Sequence, residues 1–226
     1  MSAGRIVALG GGGFSEGAGG LDDEILRLAG RADPRVCFLP TASGDAEGYV
    51  ERFHAAFPPA RARASTLRLF SRELADPAGH LRRQHVIYVG GGNTANMLAV
   101  WRVHGVDRAV IAAWRAGALL CGVSAGAICW FEDGVTDSFG PGYARLGDGL
   151  GLLPGSFCPH WDGEPERQQV FRALLAEGMP AGYAVDDGCA LVFEGSRLTE
   201  AIAERPGAGA IAIGMDGETP LAVRSI

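Results

Sequence analysis

Gly122-Val123-Ser124-Ala125-Gly126 sets one hydroxyl between two glycines, where the apolar run Leu119–Val123 gives way to helix-forming residues. The spacing fits G-x-S-x-G, a strand-to-helix corner on which a serine is held out as a nucleophile. The glycines allow a tight backbone, and the N-terminus of the helix behind favours developing negative charge. The Ala125 amide then supplies one oxyanion donor. The competing reading is a helix N-cap, a position that serine also suits. The pattern by itself leaves both standing.

Gly90-Gly91-Gly92-Asn93-Thr94 bears on the same chemistry. It follows the apolar run His85–Val89, so bare amides lie where a second oxyanion donor is needed. Asn93 suits contact with a substrate amine or carbonyl, and Asn93 or Thr94 suits capping the helix that follows. A serine nucleophile also needs a base. Of the five histidines, His54 and His104 fall in helical patterns, and His80 and His85 flank a loop away from the glycine-rich strand ends. His160 stands in "SFCPHWDGEPER", a rigid, non-helical stretch better suited to acid–base work. The base in turn needs an orienting carboxylate. Asp186 and Asp187 close the apolar strand "GYAV", and alternation sends their side chains to opposite faces, so that one points inward. Asp137 and Asp162 compete for the role; Asp148 reads as a turn residue.

The elements that position these residues follow from periodicity. Strands are expected at "RIVALGG", "RVCFLP", "STLRLF", "HVIYVGGGN" and "GALLCGV". Helices are expected at "LDDEILRLAG", "DAEGYVERFHAAF", Thr94–His104, Asp107–Ala116, after Ser124 and at "PERQQVFRALLAEG". Short hairpin strands follow in "GYAVDDGCALVFEG", "LTEAIAE" and "GAIAIG…TPLAVRSI". Strands apolar on both faces, alternating with helices, predict an α/β three-layer sandwich around a mostly parallel sheet. One domain over residues 1–226 is expected, since no linker or repeat interrupts the pattern. Gly10–Gly13 follows the first strand where a dinucleotide loop would lie. G-x-G-x-x-G fails there, because Ser15 and Glu16 stand where its third glycine belongs. A turn near a site is the expectation instead.

Composition narrows the function classes. The net charge of −6 argues against nucleic acid or an anionic membrane as partner. All 20 basic residues are arginine, which removes Schiff-base chemistry, a Ser-Lys dyad and a phosphate-loop lysine. Five scattered cysteines without C-x-x-C read as reduced, buried thiols in a cytoplasmic setting. The N-terminus carries too short an apolar run for a signal peptide, and no run is long enough to span a membrane.

Taken in order, "VGGGNT", "GVSAGA", "PHWDGEPER" and "DDGCAL" resemble the peptidase E and cyanophycinase family of serine peptidases, from the first strand to at least Phe193. The resemblance implies a fold like the class I glutamine amidotransferases, with serine where those have cysteine, and no metal or organic cofactor. By motif it makes Ser124 the nucleophile and His160 the general base. It assigns Gly91, Gly92 and Ala125 to the oxyanion hole and Asn93 and Arg167 to substrate contacts. The third triad member in the family is commonly glutamate; Asp187 holds that position here, with Asp137 as second choice. The implied partner is a small peptide, with a homodimer admitted. Known activities are cleavage of dipeptides with N-terminal aspartate and, for cyanophycinases, of β-aspartyl-arginine polymers. Arg167 is the cation that would select an aspartate side chain. Longer relatives carry more sequence near the substrate pocket than a chain ending at Ile226, so aspartyl selectivity stays open. The rivals are a cyanophycinase-like isopeptide hydrolase and, from another class, a non-catalytic module that retains the pocket.

Overall fold

Short β-branched runs form the central strands, and glycine or proline ends most of them. The structure is a computed structural model describing residues 4–17, 19–71 and 73–226. The first three residues, part of the stretch read for a signal peptide, lie outside the described residues. The chain opens with β1 (Arg5–Leu9), α1 (Gly20–Ala29), β2 (Arg35–Leu39), α2 (Glu47–Ala56) and β3 (Arg63–Thr66). It continues with α3 (Pro77–Arg82), β4 (Val86–Val89), α4 (Thr94–His104), α5 (Val106–Arg115) and β5 (Leu119–Val123). After it come α6 (Ala125–Ile128), β6 (Phe131–Thr136), β7 (Ala144–Arg145), β8 (Leu153–Cys158) and α7 (Pro165–Ala176). The last strands are β9 (Gly182–Val185), β10 (Cys189–Glu194), β11 (Arg197–Ala203), β12 (Ala210–Gly214), β13 (Gly217–Pro220) and β14 (Val223–Ser225). Single 3-10 turns lie at Gly13–Ser15 and Thr41–Ser43.

Eight strands make the central sheet, in the order β14-β11-β10-β1-β5-β4-β2-β3. Neighbours from β1 to β3 all run parallel, while β10 is antiparallel to both β1 and β11. A parallel sheet must be covered on both faces, and β1 shows how. Ile6 and Ala8 enter one core with Trp101, Val110 and Trp130; Val7 and Leu9 enter another with Phe14, Ile25 and Phe53. The layers are therefore α1 and α2, the sheet, and α4 and α5 on the far side. This is the α/β sandwich that the alternation of strands and helices predicts.

The sequence pattern did not reveal a second sheet, ordered β13-β12-β9-β8-β6-β7. Its strands β6, β8 and β9 are parallel and carry α7 on one face through Val135, Cys158, Phe171 and Leu175. The helix after Ser124 is correspondingly short. Leu150 N–H donates to Cys129 O and Leu153 N–H to Trp130 O, at 2.8 and 2.9 Å, so pairing with a later segment draws the chain out of the helix. Strand β3 also begins earlier than expected, because Leu67 and Leu69 pack into the core from beyond the ladder.

All five cysteines are free and buried. Burial pushes the Cys37, Cys158 and Cys189 thiols up to about 12, so none offers a ready thiolate. Asp22 of α1 is the more costly group. It is fully buried, and neither carboxyl oxygen has a hydrogen-bond partner among the described residues. Burial pushes its pKa up to about 7, which the charge of Arg61 only partly offsets. A carboxyl that holds its proton more tightly when folded loses stability for the fold as pH rises between the two pKa values. Asp22→Asn is therefore expected to match wild type near pH 4 and to gain several kcal/mol on it by pH 8. Urea unfolding across that range checks this; parallel curves for the two proteins would refute it.

Candidate active site

Strand β5 is buried along its whole length and delivers Ser124 at its carboxyl end, where open α/β sheets place ligands. Ser124 adopts φ 54 and ψ −114, in a region that L-residues avoid at a cost of roughly 1–3 kcal/mol. Backbone bonds hold it there: its N–H donates to Leu9 O at 3.2 Å, and its carbonyl accepts from Ala127 and Ile128 at 2.8 and 2.9 Å. Both flanking glycines are needed for this packing. A Cβ on Gly122 would lie 2.1 Å from Gly126 O, and one on Gly126 would lie 2.3 Å from Val89 O. The side chain makes no capping hydrogen bond, so the N-cap reading fails although the residue occupies the N-cap position. The hydroxyl makes no bond to the helix and is partly exposed at the carboxyl end of this central strand.

His160 follows β8 and Pro159, and it too has a positive φ of 54. Its carbonyl accepts from Gly163 and Glu164 at 3.2 and 3.1 Å, and Trp161 N–H donates to Val185 O at 3.1 Å. The turn is thereby tied to the end of β9, the strand that precedes Asp187. The His160 ring reaches Asp187 with Nδ1 to Oδ1 at 2.6 Å. That hydrogen bond is the largest influence holding the Asp187 carboxyl below its ordinary range. With its proton on Nδ1, the imidazole donates to Asp187 and keeps Nε2 as a bare base.

The four glycines after β1 explain how Asp187 fits. A Cβ on Gly11 would lie 2.0 Å from Asp187 Oδ1, and one on Gly10 would lie 2.3 Å from Asp186 O. Gly188 N–H donates to Gly11 O at 3.2 Å, and Gly11 and Asp187 form a parallel bridge. The loop cradles the acid. Asp162, a rival for the base's partner, instead accepts from the Asp187 N–H at 3.0 Å and pairs with Arg205. Arg205 Nε also donates to Asp187 O at 3.0 Å. Asp186 turns the other way and accepts from Gly209 N–H at 2.7 Å, as alternation requires. Asp137 is exposed, just beyond β6.

The loop Gly90–Asn93 lies alongside. A Cβ on Gly91 would sit 3.5 Å from the Ser124 Cβ, so the two residues are neighbours. The Gly91 N–H donates to the Tyr49 hydroxyl at 3.2 Å. Asn93 caps α4, accepting from Asn96 N–H at 2.8 Å, and its amide donates to Ser138 O at 3.0 Å. Arg167 lies in the first turn of α7, 3% exposed, with its Nε 2.5 Å from Glu164 Oε2 and its guanidinium 4.6 Å from the Tyr143 ring centre. Tyr49, Glu164 and Tyr143 escape sequence reading. An aromatic on the apolar face of a helix looks like core, and an acid next to proline looks like a helix start.

Among the described residues, no group of three or more His, Cys, Asp or Glu is arranged to hold a metal ion. No helix there is long and apolar enough to cross a membrane. A cleft of about 490 Å³ between β9 and the β12–β13 hairpin, lined by Tyr183, Ile213 and Thr219, contains neither Ser124 nor His160.

Residues 6–201 match the model of peptidase family S51. The chain is 44% identical over 227 residues to the uncharacterized peptidase YgaJ of Bacillus subtilis strain 168, covering 97% of this chain and 98% of that one. It is 27% identical over 184 residues to peptidase E of Streptomyces coelicolor, covering 74% and 70%. The crystal structure of a peptidase from an acI-B1 actinobacterium superposes with a TM-score of 0.74 at 15% identity, covering 98% of this chain and 95% of that one. With the family model spanning most of the sequence, the chain belongs to peptidase family S51 and is a serine-type peptidase.

Proposed function

We propose that this peptidase hydrolyses small peptides through Ser124, His160 and Asp187, as a single domain working in the cytoplasm. The observation that carries the reading is the 2.6 Å hydrogen bond from His160 to Asp187, an acid that bridges to Gly11 just beyond β1, the strand whose Leu9 O accepts from a serine with no capping duty. In this reading His160 Nε2 takes the Ser124 proton as Oγ attacks the substrate carbonyl carbon. The carbonyl oxygen becomes an oxyanion beside the backbone amides of Ala125 and the Gly91–Gly92 loop. His160 then gives its proton to the leaving amine, and an ester to Ser124 remains. Water, deprotonated by the same nitrogen, attacks the ester and frees the carboxylic acid and the serine.

Substrate choice within this reading turns on Arg167. Its charge is already matched by Glu164 and its face covered by Tyr143, so it is not a free cation for an aspartate side chain. Dipeptides with uncharged N-terminal residues are therefore expected to be cleaved at least as well as aspartyl ones. The test combines a fluorophosphonate probe with a panel of dipeptides varied at the first residue and a β-aspartyl-arginine dipeptide. An adduct mapped to Ser124 together with turnover supports the hydrolase. A folded, unlabelled protein that binds peptides without cleaving them identifies a binding module. Preferential cleavage of the isopeptide identifies a cyanophycinase-like enzyme.

A further inference from the structure

We infer that Tyr49 is a positioning residue for oxyanion stabilisation, fixing the Gly90–Gly92 loop so that Gly92, rather than Gly91, offers its amide beside Ser124. The inference rests on the reading of Ser124 as nucleophile. Tyr49 lies on α2, and its ring packs 5.4 Å from Phe14 and 5.1 Å from Phe38, centre to centre. The ring also touches the loop. A Cβ on Gly90 would sit 2.9 Å from Tyr49 Cε1, so residue 90 must lack a side chain for the loop to lie this close.

The hydroxyl has two partners, and together they fix its proton. It accepts from Gly91 N–H at 3.2 Å and shares a 2.6 Å hydrogen bond with Ser15 Oγ. With Gly91 donating, the phenol's own proton is free for Ser15. Burial also raises the phenol pKa, so that proton stays in place. The Gly91 N–H is thereby spent on Tyr49. On the other side of Gly92, Asn93 N–H donates to Ala42 O at 2.9 Å. Gly92 is held between these two anchors at φ 135, and a Cβ there would meet Ala42 O at 2.3 Å. Its own N–H finds no acceptor among the described residues. The amide of Ala125, next to the nucleophile, has none either. Ala125 adjoins the nucleophile in sequence, and Gly92 follows Gly91, whose Cβ position lies 3.5 Å from the Ser124 Cβ. An oxyanion requires two free amides at the nucleophile, and in this inference Tyr49 sets the direction of the Gly92 amide without touching the reacting atoms.

The test compares wild type, Tyr49→Phe, Ser15→Ala and Ser124→Ala by the rate constant of fluorophosphonate labelling, which needs no known substrate. The thermal midpoint and, on any cleaved dipeptide, kcat and KM are followed alongside. Losing a direct oxyanion donor costs roughly 100- to 1,000-fold, and losing its support should cost less. Tyr49→Phe, which keeps the ring, is expected to slow labelling and lower kcat roughly tenfold while KM stays within about twofold. Ser15→Ala should slow labelling roughly two- to threefold by the same route. A labelling rate per folded molecule equal to wild type in both variants, or a change confined to KM, overturns the inference. If Tyr49→Phe does not fold, Ser15→Ala decides alone, since it leaves the ring in place. The two readings fail separately. A wild type that Ser124→Ala matches in labelling and turnover removes the nucleophile, whereas loss in Ser124→Ala with wild-type rates in Tyr49→Phe and Ser15→Ala removes only the role of Tyr49.

Discussion

Ser124→Ala is expected to abolish peptide hydrolysis while leaving folding nearly unchanged. The two effects separate because the hydroxyl makes no hydrogen bond to the helix it precedes. The strained backbone at φ 54 is held by its own N–H donating to Leu9 O and by the N–H groups of Ala127 and Ile128 donating to its carbonyl, all of which alanine keeps. Had the serine been a cap, its loss would cost about 1 kcal/mol and leave the rate alone. As a nucleophile its loss removes several orders of magnitude in kcat/KM. His160→Ala should match that loss, and the double variant should be no worse than either, because the groups act as a unit. Rates on a cleaved dipeptide and urea midpoints for the three variants check this together. Wild-type turnover by the alanine variant would sink the assignment, and additive losses would show that another base serves the serine.

How much of this was legible depends on whether a residue's duty is local. The elbow at Ser124 was readable because its constraints lie within five residues: glycines before and after, a buried strand behind, a helix start ahead. The central sheet was readable for the same reason, since β1, β2, β4 and β5 are buried and apolar on both faces. Strand β6 was not, because "FEDGVT" carries two acids that argue against a buried strand. One of them, Asp133, is buried yet satisfied by Arg145 and by the amides of Gly134 and Gly147, partners that appear only once the fold forms. The glycines at 10 to 13 were read as a turn near a site, but their reason was out of reach. For Gly10, Gly11 and Gly12 it is the close approach of Asp186, Asp187 and Glu204, all far along the chain; Gly13 instead packs against Tyr88 and Asp22. Tyr49 was invisible because only its hydroxyl departs from a core role. Arg167 is the converse case: its place in a motif suggests a free cation, and only the fold shows Glu164 and Tyr143 closing over it.

Asp187→Asn is expected to keep the fold and lower turnover by up to about 10⁴-fold, the loss seen when a triad's acid becomes an amide. The chemistry lies in the tautomer. Asp187 accepts from Nδ1 at 2.6 Å and so leaves Nε2 bare. An asparagine amide can turn its NH₂ toward Nδ1 instead, which places the ring proton on Nε2, where it blocks proton transfer from Ser124. The fold should tolerate the change, because the backbone bonds that Asp187 makes to Asp162, Arg205 and the Gly11 cradle do not involve its carboxylate. Asp187→Glu keeps the charge but adds a methylene where Gly11 already leaves no room, so it should fall between wild type and the amide. Asp137→Asn should be close to silent, since that side chain is exposed beyond β6 and the Nδ1 position is taken. The measurement is kcat/KM for the three variants beside their thermal midpoints. Inactivation by Asp137→Asn with Asp187→Asn left active would move the third member to Asp137 and leave Ser124 and His160 in place.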